Sequence, residues 1–400
     1  MVREFWLQNI VGIRKKFDKY MRYFVVDHPN QLPLALGDLN KRKIQRREAI
    51  LVVSLHSHWK NIDKAFIESF FSKVIYLPRP DFSWFIPKHF LYLLYTRVFF
   101  KSLNIERNDV FYCFSACQLI ENLIVSTYKS NYKELIVPES VFGEYDSKKK
   151  YKDFKETSLA KIYNLAIYPL FGMYKTKRLI HKDSLFWGFP IKAYDGGKTH
   201  MYKDDLSFIY SCIIVCKNIN QPLIRHTHSN VIEEHYPFPA LLHKSAKLWE
   251  KELKQNIIFL GSNFIGESTM KTKLYVKYLN LCLDYLRKFY NEDRYNLFYK
   301  KHPAEDKEID YLNLEDFEIL NTRDSMEIYL IRNSTANVKA VFSVASTALR
   351  SSLNFGLNSY VFFQLFPFPK RTLEYYDNLF GRLPKNSYVK SFETKVKDIF

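Results

Sequence analysis

Four hundred residues, 47% of them apolar and 17% aromatic, exceed what one compact core ordinarily holds and exclude a disordered chain. Sixty Lys and Arg against 42 Asp and Glu leave a formal net charge of +18, which favours anionic partners such as lipid headgroups, acidic polysaccharide or nucleic acid. Five cysteines without a Cys-x-x-Cys pair exclude a disulfide framework, and the most apolar stretches, 84–100 and 159–174, carry Lys88, His89 and Arg97 or Lys161, which excludes a membrane-spanning helix.

Residues 1–48 read as a basic N-terminal arm, with much of the positive excess between Arg14 and Arg47. Within it Phe5, Trp6, Ile10, Val11 and Ile13 accompany Arg14, Lys15 and Lys16, a pattern that suits either a helix lying on the inner-membrane surface or one docking on the body of the protein. Met1-Val2-Arg3-Glu4 leads into no signal-peptide core, so a cytoplasmic chain is expected, peripheral at most. From Ala49 the pattern becomes α/β. A buried-strand run, 49–55, ends at His56-Ser57-His58; Asn61 starts an amphipathic helix, 62–71; strands follow at 73–77 and 109–114, the latter feeding a helix from Gln118 to Tyr128. Leu135-Ile136-Val137-Pro138 then opens onto Glu139, Gly143, Glu144 and Tyr145, with Lys148-Lys149-Lys150 close behind. Two prolines at 237 and 239 stop helix and strand alike, so the spacing predicts a first Rossmann-like domain over 49–235 and a second over 240–400. The final stretch, 373–400, is expected to cross back onto the first half.

The second half repeats strand, polar loop and helix three times. Asn256 to Leu260 runs into Gly261-Ser262-Asn263, with a helix over 274–290; Tyr295 to Tyr299 runs into Lys300-Lys301-His302-Pro303; and Ala340-Val341-Phe342 runs into Ser343-Val344-Ala345-Ser346-Thr347, with a helix over 348–354 closed by Gly356. In an open parallel sheet, ligands bind in the crevice outside the carboxyl ends of the strands, so these loops are expected to converge on one small anion, a nucleotide phosphate. Pro303 restricts the backbone of His302 and so aims an imidazole able to hold a proton beside that anion. Ser346 or Thr347 caps the following helix, whose free amides favour negative charge, and Gly261 is expected to let a ligand approach the backbone.

Lys301-His302-Pro303, followed by Ser346-Thr347, resembles the His-Pro and Ser-Ser/Thr motifs of bacterial sialyltransferases of the capsular polysialyltransferase and lipooligosaccharide sialyltransferase families. The resemblance implies a GT-B-like fold, two Rossmann-like domains facing across a cleft, and inverting transfer from CMP-sialic acid to an anionic surface glycan of capsule or lipooligosaccharide. Those families carry two acids and a glycine followed by a tyrosine; here Glu139 and Tyr145 match, while the second acid and the glycine are displaced. Carried over residue by residue, Glu139 is the general base with Glu144 as second choice, and His302 is the acid or phosphate partner. Gly261, Ser262, Lys301, Pro303, Ser343, Ser346 and Thr347 then bind the donor. Departure on a single phosphate is served by imidazole, hydroxyls, lysine and amides, so no cofactor and no metal are expected, in line with the missing Asp-x-Asp motif. A transferase of CMP-Kdo or another activated sugar fits the same pattern. A basic nucleic-acid-binding protein is the alternative from another class, disfavoured because the 29 Tyr and 34 Phe lie in strand and helix interiors, where core packing accounts for them.

Overall fold

The structure is a computed structural model that describes residues 20–55, 59, 63–78, 86–116, 118–138, 142, 154–156, 158–181, 185–186, 189–190, 198–217, 222–236, 254–262, 271–302, 305, 309–320, 324–333, 337–380 and 383–399. The chain forms two compact units, which in the main part company between His235 and Tyr236.

In the first unit β1 (Arg22–Val26), α1 (Leu32–Lys41), β2 (Ala49–Leu55), α2 (Lys64–Glu68), β3 (Lys73–Pro78), α3 (Ile86–Ser102), β4 (Val110–Cys113), α4 (Leu119–Thr127) and β5 (Tyr132–Pro138) alternate along the chain. After the short strand β6 (Phe154–Glu156), α5 (Ser158–Ile162) continues through a π turn, Tyr163–Ile167, into α6 (Tyr168–Leu170). β7 (Lys177–His181) follows, the short pair β8 (Leu185–Phe186) and β9 (Phe189–Pro190) falls to the second unit, and β10 (Lys198–His200), α7 (Lys203–Ile209), β11 (Cys212–Lys217) and β12 (Val231–His235) return to the first. The main sheet is parallel throughout, in the order β12-β11-β5-β4-β1-β2-β3. Its inner strands are apolar on both faces because helices cover both.

The basic arm expected over 1–48 is corrected over its described part, from Tyr20: Arg22–Val26 is the inner strand β1, paired with β2 on one side and β4 on the other. Tyr23, Phe24, Val25 and Val26 are buried, and Arg22 pairs its guanidinium with Glu48. The helix expected from Asn61 begins at Asp63 instead, whose Oδ1 accepts from the amides of Ala65 and Phe66 at 2.9 and 3.3 Å. At the end of the first unit Val231–His235 forms the edge strand β12, where Glu233 is held by Lys217 and His226, each at 2.8 Å.

The second unit contains β13 (Gln255–Leu260), α8 (Thr272–Phe289), β14 (Tyr295–Lys300), β15 (Phe317–Ile319), α9 (Met326–Asn333), β16 (Val338–Ser343), α10 (Ala348–Asn354), β17 (Asn358–Val361) and α11 (Lys370–Phe380). Its five-stranded sheet is parallel, in the order β15-β14-β13-β16-β17. Along α8 the residues Tyr275, Leu279, Cys282, Leu283 and Leu286 are buried at three and four spacing. Phe259, Phe342, Tyr360 and Tyr285 build an aromatic core, with Phe342 and Tyr360 stacked at 4.8 Å between centroids. Gly356 closes α10 at φ 77°, a left-handed conformation suited to glycine. The expectation that the last residues cross onto the first half is also corrected. Val389 donates its amide to Val361, the Val396 amide reaches Tyr285 Oη at 2.9 Å, Tyr360 Oη donates to Lys397, and Lys339 pairs with Asp398 at 2.6 Å, all within the second unit. Cys113, Cys216 and Cys282 are free and buried, which holds their thiols well above the ordinary range.

The fold is thus α/β with two Rossmann-like units. Read from the β3 edge, the first sheet runs first-unit strands 3-2-1-4-5 before β11 and β12; from the β15 edge, the second runs third, second, first, fourth, fifth. Each order reverses direction beside the unit's first strand, at β1/β4 and at β13/β16, which is where open α/β sheets bind ligands.

Candidate functional site

At the second switch point the register is explicit. Leu260 of β13 aligns with Lys300 of β14 on one side and Ser343 of β16 on the other. The residues that follow, Gly261-Ser262, Lys301-His302 and Val344 to Thr347, therefore leave one sheet edge from three adjacent strands. That brings together the His-Pro loop and the Ser-Thr loop, which stand more than forty residues apart in sequence.

The members of this edge have different roles. Gly261 makes room for protein rather than for a ligand, a correction to the expectation: a Cβ there would lie 2.0 Å from Glu305 Oε2 and 2.7 Å from Tyr299 Oη. Glu305 is fully buried, its Oε1 accepting from Tyr299 Oη at 2.6 Å and its Oε2 from the His302 amide at 3.0 Å, while its own amide donates to the His302 carbonyl at 2.9 Å. This closed loop fixes the backbone at half-buried His302, and Pro303 lies outside the described residues. Ser343 is likewise corrected. Its hydroxyl is fully buried and donates to the Leu260 carbonyl at 2.9 Å, so it stitches β16 to β13 and leaves the ligand set. Ser346 caps α10, its Oγ accepting from the Ala348 amide at 3.3 Å, and exposed Thr347 makes no side-chain capping bond.

Ser262 is 6% exposed, and its Oγ is buried without a hydrogen-bond partner among the described residues. It stands at the end of the central strand β13, beside the switch point. Positive charge is graded along the loop. Lys300 is buried, its ammonium pK pushed down by burial against the attraction of the buried Asp324 and Glu327 carboxylates. Lys301 is half-buried at the edge itself.

The first switch point holds two acids that sequence reasoning missed. Asp27 follows β1, is buried, and its carbonyl accepts from Trp59 Nε1 at 2.8 Å. Glu121, in the first turn of α4, accepts on Oε1 from the amides of Phe114 and Ser115, 2.8 and 2.9 Å away at the end of β4, while Oε2 is buried and unpaired. Burial drives its pKa well above the ordinary carboxyl range, opposed by those two amides and reinforced by the charge of Asp27. Burial thus disfavours the charged form of the Glu121 carboxyl. A signal was present for Asp27, an acid directly after an apolar run; none existed for Glu121, whose role follows from helix placement. Glu139 immediately follows Pro138, the last residue of β5, but Glu139 and Glu144 lie outside the described residues, as do His56 and His58. Among the described residues no group of three His, Cys, Asp or Glu is placed to hold a metal.

No family model matches the chain, and no curated protein matches it in sequence. Solved structures are similar in shape. A glycosyltransferase from Rickettsia africae ESF-5 has 12% identity over 86% of this chain and 79% of that chain, with a TM-score of 0.38. A UDP-GlcNAc 2-epimerase from Neisseria meningitidis bound to UDP-GlcNAc has 8% identity over 85% and 82%, with a TM-score of 0.45. The E. coli ADP-heptose heptosyltransferase II has 8% identity over 86% and 84%, with a TM-score of 0.34. Strand order and register assign the fold without them.

Proposed function

We propose that the protein is a nucleotide-sugar-dependent glycosyltransferase of the GT-B type, with the donor phosphate at the carboxyl edge of the second sheet. The observation that carries this reading is the convergence at the switch point of the locked His302 loop on β14 and the Ser346-Thr347 loop on β16, flanking the buried hydroxyl of Ser262, which has no hydrogen-bond partner among the described residues. Two Rossmann-like units in one chain are the make-up of such enzymes, and the excess of Lys and Arg suits an anionic donor and an anionic glycan acceptor.

In this reading Ser262, Lys301 and Thr347 hold the phosphate, and His302 protonates or neutralises the departing oxygen as the sugar passes through an oxocarbenium-like state. The acceptor proton goes to a carboxylate at the carboxyl edge of the first sheet, for which Glu139 is the first candidate and Glu144 the second. The His-Pro and Ser-Thr motifs favour CMP-sialic acid as donor, with transfer to a capsule or lipooligosaccharide glycan. CMP-Kdo or a UDP- or ADP-linked sugar is the runner-up, because the phosphate-binding groups do not discriminate the base. The test is thermal stabilisation by CMP, UDP, ADP and GDP, followed by turnover of the corresponding sugar nucleotides. Stabilisation by one nucleotide in wild type and its loss in His302→Ala, at unchanged ligand-free melting temperature, is expected. Stabilisation by none of the nucleotides contradicts the proposal.

A further inference from the structure

Helix α3 carries large apolar side chains both on the side that is covered and on the side that is not. Tyr92, Leu93, Phe99 and Phe100 pack inward, while Leu91, Leu94, Tyr95 and Val98, at three and four spacing, face outward, with Leu91 and Val98 exposed by 62% and 59%. A helix of this composition is normally buried or set against an apolar phase. The neighbouring helical segment does the same. Tyr163, Ile167, Tyr168 and Phe171 pack inward, and Ile162, Leu165 and Leu170 point outward, Leu165 by 80%. The two helices lie side by side in the first unit: Tyr163 Oη bonds His89, Phe90 meets the Phe171 ring at 5.4 Å, and Arg97 lies 6.0 Å from the same ring. Their outward side chains are too many and too close together for scattered surface residues.

Charge identifies the cover. Between residues 86 and 105 and between 157 and 181 there is no Asp or Glu, whereas Arg97, Lys101, Lys161, Lys175 and Lys177 stand in those stretches. Glu156, which accepts from Asn164 at 2.8 Å, and Asp205 border Leu165 together with Lys161, Lys175 and Lys177, so the face carries more cations than acids and suits an anionic bilayer surface, with apolar side chains entering the acyl boundary and lysines at the headgroups. A second copy of this chain would bring like charge against like charge. No described helix is long and apolar enough to cross a membrane.

We infer that α3 and the 158–170 helical segment form an interfacial surface by which the first unit lies on an anionic membrane. This surface is independent of the N-terminal residues, and it stands whatever donor the second unit takes. The experiment is co-sedimentation of the full chain with phosphatidylcholine vesicles and with vesicles containing phosphatidylglycerol. The phosphatidylglycerol vesicles are expected to bind the protein, the neutral ones to bind it about tenfold less, and about 0.5 M NaCl to weaken binding by a similar factor. The double variant Leu91→Ser/Val98→Ser is expected to lose about tenfold or more in vesicle affinity at unchanged melting temperature. A control at other exposed apolar positions, Leu223→Ser/Ile224→Ser, should bind as wild type does. Failure of wild type to bind phosphatidylglycerol vesicles, or equal binding by the α3 variant, overturns the proposal. So does a dimer that the α3 variant dissolves in the absence of lipid.

Discussion

Gly261→Ala tests the arrangement that holds the His302 loop. The added methyl would sit 2.0 Å from Glu305 Oε2 and 2.7 Å from Tyr299 Oη, so the carboxylate must move. The end of a glutamate is elsewhere easily displaced, but here Oε1 is bonded to Tyr299 and Oε2 to the His302 amide inside a fully buried pocket. Losing one such charge-assisted bond costs about 1.5–3 kcal/mol, and overpacking adds about 1–3 kcal/mol. Partial relaxation leaves a net loss of about 3 kcal/mol. For a unit of this size, each kcal/mol shifts the midpoint by about 2–4 °C, so scanning calorimetry should show the second unit's transition about 6–12 °C lower. Glu305→Ala removes the obstructing group, so Gly261→Ala/Glu305→Ala should be less destabilised than the sum of the two single changes by about 1–3 kcal/mol. A Gly261→Ala midpoint within about 2 °C of wild type, or strict additivity, would refute the reasoning.

Ser262→Ala separates stability from binding. Its buried hydroxyl has no hydrogen-bond partner among the described residues, so the ligand-free variant should match or exceed wild type in melting temperature, while nucleotide affinity measured by calorimetry falls about tenfold. Unchanged affinity would remove Ser262 from the site. Glu121→Gln tests the buried acid of the first unit. Because the folded pKa is raised, the stabilisation carried by the acid is complete below the unfolded value of about 4.3 and is lost as pH rises toward the folded value, at up to about 1.4 kcal/mol per pH unit. Gln does not titrate, so in urea denaturation the variant should gain on wild type as pH rises from the unfolded value of about 4.3 toward the folded one. A constant difference across that range would show that Glu121 is ionised in the fold.

The strands and helices of the second unit were legible because each is a long apolar run bounded by Gly, Pro or charged residues. β13, β14, β16 and α10 stand within two residues of where the pattern puts them. Strand β1 was hidden by its surroundings: Arg22-Tyr-Phe-Val-Val is short and lies in a stretch where charge is the louder signal, and only pairing with β2 and β4, 27 and 88 residues onward in register, makes it an inner strand. The site was legible as residue types at strand ends, since polar residues after an apolar run are visible locally. Their individual roles were not. Whether Gly261 admits a ligand or a carboxylate depends on Glu305, 44 positions later, and whether Ser343 is available depends on a carbonyl of a neighbouring strand. Such facts are set by register, which a single sequence does not display.

The measurement closest to the central claim is amide hydrogen exchange of the full chain with and without the nucleotide that stabilises it. Binding at the second switch point predicts slowed exchange at Gly261-Ser262, Lys301-His302 and Val344 to Thr347 together, with the rest of that sheet unchanged. Protection confined to another surface, with these three loops exchanging as in the free protein, would contradict the account.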